Sequence, residues 1–200
     1  MLCLNGENNS AFNVRIFLLE KKEIKNLEEE LGFSRLVCLR FKKSSIAWFY
    51  RFKLTQKMIE NITVTTKLKA IEEALFNLYE KEIDFILLHL LKHPRNYYAW
   101  SYRQKIFNDF WDLFKNSDNF LLKEIERVRT YCQKNVHEYS AFHFLQVLFK
   151  KLGKRLNVQE EISWTINLIL LYEDYYEKDS EYIKLVSLRK HMIFLENFKI

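Results

Sequence analysis

Proline and glycine are almost missing from these 200 residues: there is one Pro, Pro94, and there are three Gly. So few turn-forming residues cannot serve the many tight turns of a β-sandwich, and an all-β fold is set aside. Cysteine is equally sparse. Cys3, Cys38 and Cys132 lie far apart and in no C-x-x-C spacing, which excludes a disulfide framework or a cysteine zinc site and points to a reducing compartment. No run of about 18 apolar residues occurs, and the opening MLCLNGENNS lacks a basic segment followed by an apolar one, so neither a membrane span nor a secretory leader is expected. A cytoplasmic protein is the expectation. The five histidines are not read as a metal motif, and the chain shows no Gly-rich phosphate loop, nucleophile setting or paired-carboxylate motif. No metal site is expected here, and the isolated chain is not expected to be an enzyme.

What is present favours long helices. Hydrophobic residues make up 48% of the chain and aromatic ones 16%, enough for a bulky interior or for an apolar surface awaiting a partner. The net charge of +6 comes from 32 basic and 26 acidic residues, interleaved as in KLKAIEEALFNLYEKEID. Such mixing reads as solvated helix faces rather than the positive stripe that nucleic-acid binding requires, so no nucleic-acid partner is expected.

Apolar residues recur at helical steps over residues 63–92. Pro94 ends that run, because it has no N–H to donate and disfavours helical geometry at His93, and Asn96 can cap the next helix, from about Tyr97 to Lys115. The same alternation predicts helices over Asp118–Lys134, over YSAFHFLQVLFKKL up to Gly153, after Asn157, and after Asp179 or Ser180. Upstream, Ser44 or Ser45 caps SIAWFYRFKLTQKMI, and a short charged helix is expected from Lys21 to Leu31. Phe33–Phe41 is left open between a strand and a helix. The expected division is an N-terminal, partly helical segment over 1–42 and a repeat domain of about four units over 43–200.

The second helices of the pairs align on an aromatic residue: Trp48, Trp100, Phe142 and then Val186. The unit W-x-x-R recurs as Trp48/Arg51 and Trp100/Arg103, fades to Phe142/Leu145, and is assigned to Val186/Arg189 in the fourth copy. Intervals of 52, 42 and 44 residues are those of stacked helix-hairpin arrays. Residues three apart share a helix face, so the aromatic side chains read first as packing between layers, and the arginines as equally suited to internal carboxylates or to a partner.

The stretch HPRNYYAWSYRQ, with Pro94, Arg95, Asn96, Tyr97, Trp100 and Arg103 in order, resembles the repeat of the protein prenyltransferase alpha subunit family, over roughly Lys43 to Phe198. The resemblance implies an all-α fold, a right-handed superhelical array of antiparallel helix hairpins that wraps a separate beta subunit. It implies that zinc and geranylgeranyl diphosphate are held by that beta partner, of the Rab geranylgeranyl type, and not by this chain. The acceptor it implies is a trafficking protein, a SNARE already carrying a farnesyl group. Arg95 and Tyr97 match family positions beside the leaving diphosphate, with Arg95 where catalytic members have Lys. Departures are Tyr50, Tyr102, Phe144 and Leu188 where the family often has His, besides Leu145 and Val186. A second reading stands beside this one: a non-catalytic helical-repeat scaffold for protein interaction.

Overall fold

A computed structural model describes residues 5–114, 117–176 and 185–198, with backbone only at 68, 69 and 173–176. Among the described residues every regular element is helical: α1 (Asn9–Glu20), α2 (Leu27–Arg40), α3 (Ser45–Thr65), α4 (Leu68–Lys92), α5 (Tyr97–Leu113), α6 (Asp118–Lys134), α7 (Tyr139–Leu152), α8 (Val158–Tyr176) and α9 (Val186–Glu196), with a 3-10 turn at Gly153–Arg155. The all-α expectation holds, and none of these helices is long and apolar enough to cross a membrane.

Two compact units divide the chain, Met1–Leu113 and Phe114–Ile200. In the first, α2 pairs with α3 and α4 with α5, and α3 also packs on α1, α4 and α5. In the second, α6 pairs with α7 and α8 with α9, and α7 packs on α9. The hairpins are antiparallel because their connectors are short. Residues 41–44, 93–96 and 135–138 each turn the chain within four residues.

Local chemistry sets the helix limits. Ser44 Oγ accepts from the Ala47 N–H, Asn96 Oδ1 from those of Tyr98 and Ala99, and Asn157 Oδ1 from that of Glu160, the three caps foreseen. Gly153 ends α7 at φ 58°, a left-handed value that residues with a Cβ rarely adopt. The helix over Asp118–Lys134 matches its expected limits. Residues 177–184, with the proposed caps Asp179 and Ser180, lie outside the described residues.

Two expectations are corrected and one open stretch is resolved. Lys21–Leu31 is not one helix: Lys22, at φ 59°, closes α1 in a Schellman turn, with Glu23 N–H donating to Leu18 O and Lys22 N–H to Leu19 O. Asn26 then caps α2 through the Glu29 N–H, with Glu28, Glu29 and Glu30 in the favourable first turn, and α2 runs through the stretch left open at Phe33–Phe41. The helix expected from Thr63 starts at Leu68, because α3 continues to Thr65 and the chain turns at Thr66 and Lys67.

Candidate functional site

The W-x-x-R unit is built into the interior. Trp48, Arg51, Asn96, Trp100, Arg103 and Phe142 are all buried, so they shape the array and are not open to solvent. Ala47, Ala99 and Ala141 precede the three aromatics and are buried too, small enough for helices to approach closely.

Arg51 shows what the arginine does. Its Nε and Nη2 donate to Glu82 of α4 at 2.8 and 2.7 Å, a bidentate pair, while Nη1 donates to Leu31 O and Ser34 Oγ of α2. The guanidinium lies 4.1 Å from the centre of the Phe85 ring. Tyr102 of α5 donates at 2.5 Å to Glu82 Oε2, the oxygen that also accepts from Arg51 Nε. Glu82 and Arg51 together thus tie four helices. Burial disfavours charge on Arg51, but Glu82, with Tyr102 and Cys38, more than offsets it and holds the guanidinium protonated; burial first, then Glu82, pushes the Tyr102 phenol well up. Cys38 beside this clasp is pushed up to about 12 by burial and stays a thiol.

The clasp repeats, and it locates a copy that the sequence reading missed. Tyr50 donates to Glu30, which also pairs with Arg15, and Arg15 lies 4.1 Å from the Phe33 ring centre. Glu30 and Glu82, Phe33 and Phe85, Tyr50 and Tyr102 are each separated by the same 52 residues as Trp48 and Trp100. Arg15 therefore plays the part of Arg51. Ala11-Phe12-Asn13-Val14-Arg15 aligns with Ala47 to Arg51, and Phe12 leans on Tyr50 at 5.6 Å as Trp48 leans on Tyr102 at 5.5 Å. Even the loop bonds agree: Ser44 Oγ donates to Gly6 O and Asn96 Nδ2 to Lys42 O, both at 2.6 Å and each to a carbonyl two residues before the previous cap. Helix α1 is thus a further second helix of the repeat, and the 1–42 segment is not set apart from the array. A carboxylate spacing equal to the tryptophan spacing was the signal that could have found it; Glu124, buried on α6 and 42 residues after Glu82 as Phe142 is after Trp100, extends it.

The fourth copy needs a different register. Val186 and Arg189 are exposed, whereas Ser187, Leu188 and His191 are buried in the pattern of Ala141, Phe142 and Leu145, which puts Leu188 at the aromatic position and His191 at the arginine position. His191 lies among Phe142, Phe149, Trp164 and Phe194, with Gln146 Nε2 at 3.4 Å from Nδ1, and burial lowers it to about 4, so it is neutral.

Asn96 explains why an asparagine stands before Tyr97. Its Oδ1 caps α5, and its Nδ2 donates to Lys42 O and contacts His89 Nε2 at 2.8 Å, so both ends of the amide are used. The Trp48 indole donates to the same Lys42 carbonyl at 3.0 Å. Burial, then His93 and Lys42, lowers His89 to about 4, leaving Nε2 free to accept. His89 and His93 are four residues apart with ring centres 5.0 Å apart, an H-x-x-x-H pair overlooked in the sequence. Among the described residues no group of three metal-ligating side chains completes it.

Outward from this core, Arg95 and Tyr97 are exposed at the start of α5, and Arg95 takes a left-handed φ of 60°. Beside them a groove of about 360 Å³ is lined by the first residues of three helices, Asn9, Ser45, and Tyr97 with Tyr98, and by Ile46, Phe49, Phe52, Ser101 and Lys105, over a floor of Trp48 and Tyr102. Of the residues expected to carry function, the fold brings Tyr97 to this groove over Trp48. Arg189 lies in the other unit.

Within this array of capped helices joined through W-x-x-R, residues 79–110 match the protein prenyltransferase alpha subunit repeat. The chain is similar to protein prenyltransferase alpha subunit repeat-containing protein 1 of Homo sapiens, 27% identical over 158 residues that cover 76% of this chain and 38% of that protein. It is similar also to protein 1-A of Xenopus laevis, 24% identical over 76% of this chain and 36% of that one, and to protein 1 of Danio rerio, 27% identical over 80% and 38%. The chain thus spans little more than a third of the length of the curated relatives it matches.

Proposed function

We propose that this chain acts as an alpha-type accessory subunit of a heterodimeric protein geranylgeranyltransferase in the cytoplasm, holding a Rab-type beta subunit and supporting prenylation of a trafficking protein. The observation that carries the reading is the division of the N-Y-x-x-W-x-x-R unit: Asn96, Trp100 and Arg103 are buried, while Arg95 and Tyr97 face outward together at one helix start. A unit that only stacked repeats would have no need of that outward pair. In this reading zinc and geranylgeranyl diphosphate belong to the beta partner, and the chain alone is inactive. Arg95 offers several N–H donors, and Tyr97 a hydroxyl, to the charge that grows on the leaving diphosphate. The acceptor is a SNARE that already bears a farnesyl group.

Co-expression with a Rab geranylgeranyltransferase beta subunit, followed by size-exclusion chromatography, tests the reading. A one-to-one complex whose prenyl transfer falls about tenfold or more in Arg95→Ala, with the complex intact, is the expected outcome. A folded chain that elutes apart from the beta subunit would overturn it. That result would favour a non-catalytic scaffold, a reading supported by the fourth copy, where Leu188 and His191 occupy the aromatic and arginine positions.

A further inference from the structure

The groove of the first unit has a charge character that its aromatic lining hides. Helices α1, α3 and α5 all begin at it, through Asn9, Ser45 and Tyr97, so three helix N-termini bring their partial positive charges to one edge. Lys105 lines it, with Nζ 5.5 Å from the Phe52 ring centre and 6.0 Å from that of Phe49, and Lys53 Nζ lies 5.8 Å from the Phe49 ring centre. None of the described residues lining the groove is a carboxylate. The connectors that precede α3 and α5 add Lys42, Lys43 and Arg95, and the one before α1 adds Glu7, all exposed. Between these cations the surface is apolar: Phe49 is 39% and Tyr97 66% exposed.

We infer that this groove docks a segment of a partner protein in which an aromatic or leucine side chain is flanked by carboxylates. The apolar side chain seats between Phe49, Phe52 and Tyr98. The carboxylates meet Lys105 and the amide ends of α3 and α5, the complement that both the helix dipoles and the lysine favour. A nucleic-acid strand fits less well, because a single lysine inside the groove gives little of the phosphate neutralisation on which such binding depends. The inference shares with the proposed function the outward-facing Tyr97, but does not require the partner to be a prenyltransferase subunit.

Selection of the whole chain against a displayed library of random twelve-residue peptides tests it, with affinities of the enriched peptides measured by fluorescence anisotropy. The expected result is enrichment of acidic peptides with a central aromatic or leucine, weakened tenfold or more by Lys105→Glu, by Phe49→Ala and by replacing the peptide carboxylates with amides. Lys81→Glu, outside the groove, should bind as the parent does. Tyr97→Ala, at the most exposed lining aromatic, is the substitute if Phe49→Ala loses helical circular dichroism. The inference is overturned if no peptide is enriched, if the enriched peptides are basic or uncharged, if Lys105→Glu binds them as well as the parent, or if single-stranded RNA displaces them at comparable concentration. Failure here with an intact beta-subunit complex would refute the groove's role alone; peptide binding without that complex would refute the prenyltransferase reading alone.

Discussion

The two units keep one helical plan but differ in what fills the inner positions of its second helices. In Met1–Leu113 the layers are joined by Arg–Glu–Tyr clasps, Arg15–Glu30–Tyr50 and Arg51–Glu82–Tyr102. In Phe114–Ile200 the matching positions of the second helices carry Phe144, Leu145, Lys190 and His191; rings surround His191, and the ion pair Arg129–Glu161 joins first helices instead. A buried ion pair tolerates few alternatives, since losing one partner strands the other charge, whereas apolar contacts admit many side chains of similar volume. That difference accounts for where the repeat is recognisable: the matched stretch, 79–110, lies wholly in the clasped unit.

The largest effect should come from breaking a clasp. Glu82→Ala leaves the Arg51 guanidinium buried without its carboxylate and should cost about 3–5 kcal/mol in urea denaturation. Arg51→Met with Glu82→Leu should cost clearly less than Glu82→Ala alone. If the pair of changes costs as much, the clasp is packing rather than charge pairing, and the contrast between the units fails.

Acid should act on both units through different surroundings. His89 and His191 are held at about 4 in the folded chain against 6.5 for an ordinary histidine, so the unfolded chain takes up more protons between those values. Their favourable contribution is complete above pH 6.5 and is lost as pH falls toward 4, by about 3 kcal/mol for each histidine. His191→Phe should flatten the part of this slope that belongs to the aromatic unit, read as urea midpoints at pH 7.5 and 5. An unchanged slope would mean that His191 already protonates without penalty.

Asn96→Asp keeps the cap oxygen of α5 but removes the donor shared by Lys42 O and His89. The expected loss is about 1–3 kcal/mol in thermal or urea denaturation, with Asn96→Ala at least as costly. The smallest changes concern the left-handed positions after α1 and α7. Lys22→Gly should stabilise the clasped unit by about 0.5–1 kcal/mol, and Gly153→Ala should destabilise the other by about 1–2 kcal/mol. Proteolysis rates at the two sites should move in the same directions.

Much of this was legible in the residues. Pro94 and Asn96 marked a corner, Ser44 and Asn157 marked caps, and the limits of α6 were read correctly, because each signal is local. Helix α1 escaped because Phe12 stands where Trp would announce the repeat, and its exposed Val14 and Phe17 blur the apolar stripe. Asn26 with Glu29 three residues later was a visible start signal for α2 that was not used. The fourth copy was placed off register since both marker residues are replaced, and only burial shows that Leu188 and His191 take the inner positions. For the site, Tyr97 was singled out through its match to a family position, but the groove was not foreseen, because it needs residues from α1, α3 and α5 that are far apart in sequence.

The bonds from Ser44 to the Gly6 carbonyl and from Asn96 to that of Lys42 couple the melting of neighbouring copies. Each helix start in the first unit is fastened to the loop of the copy before it, so fraying at the amino end does not stop at α1. Opening residues 5–8 deprives the α3 cap of its acceptor, and loosening α3 then deprives that of α5. Copies linked in this way exchange their amide protons as one cooperative block rather than helix by helix. Gly6 sits at the head of that chain of events, where a Cβ would collide with the Phe41 ring.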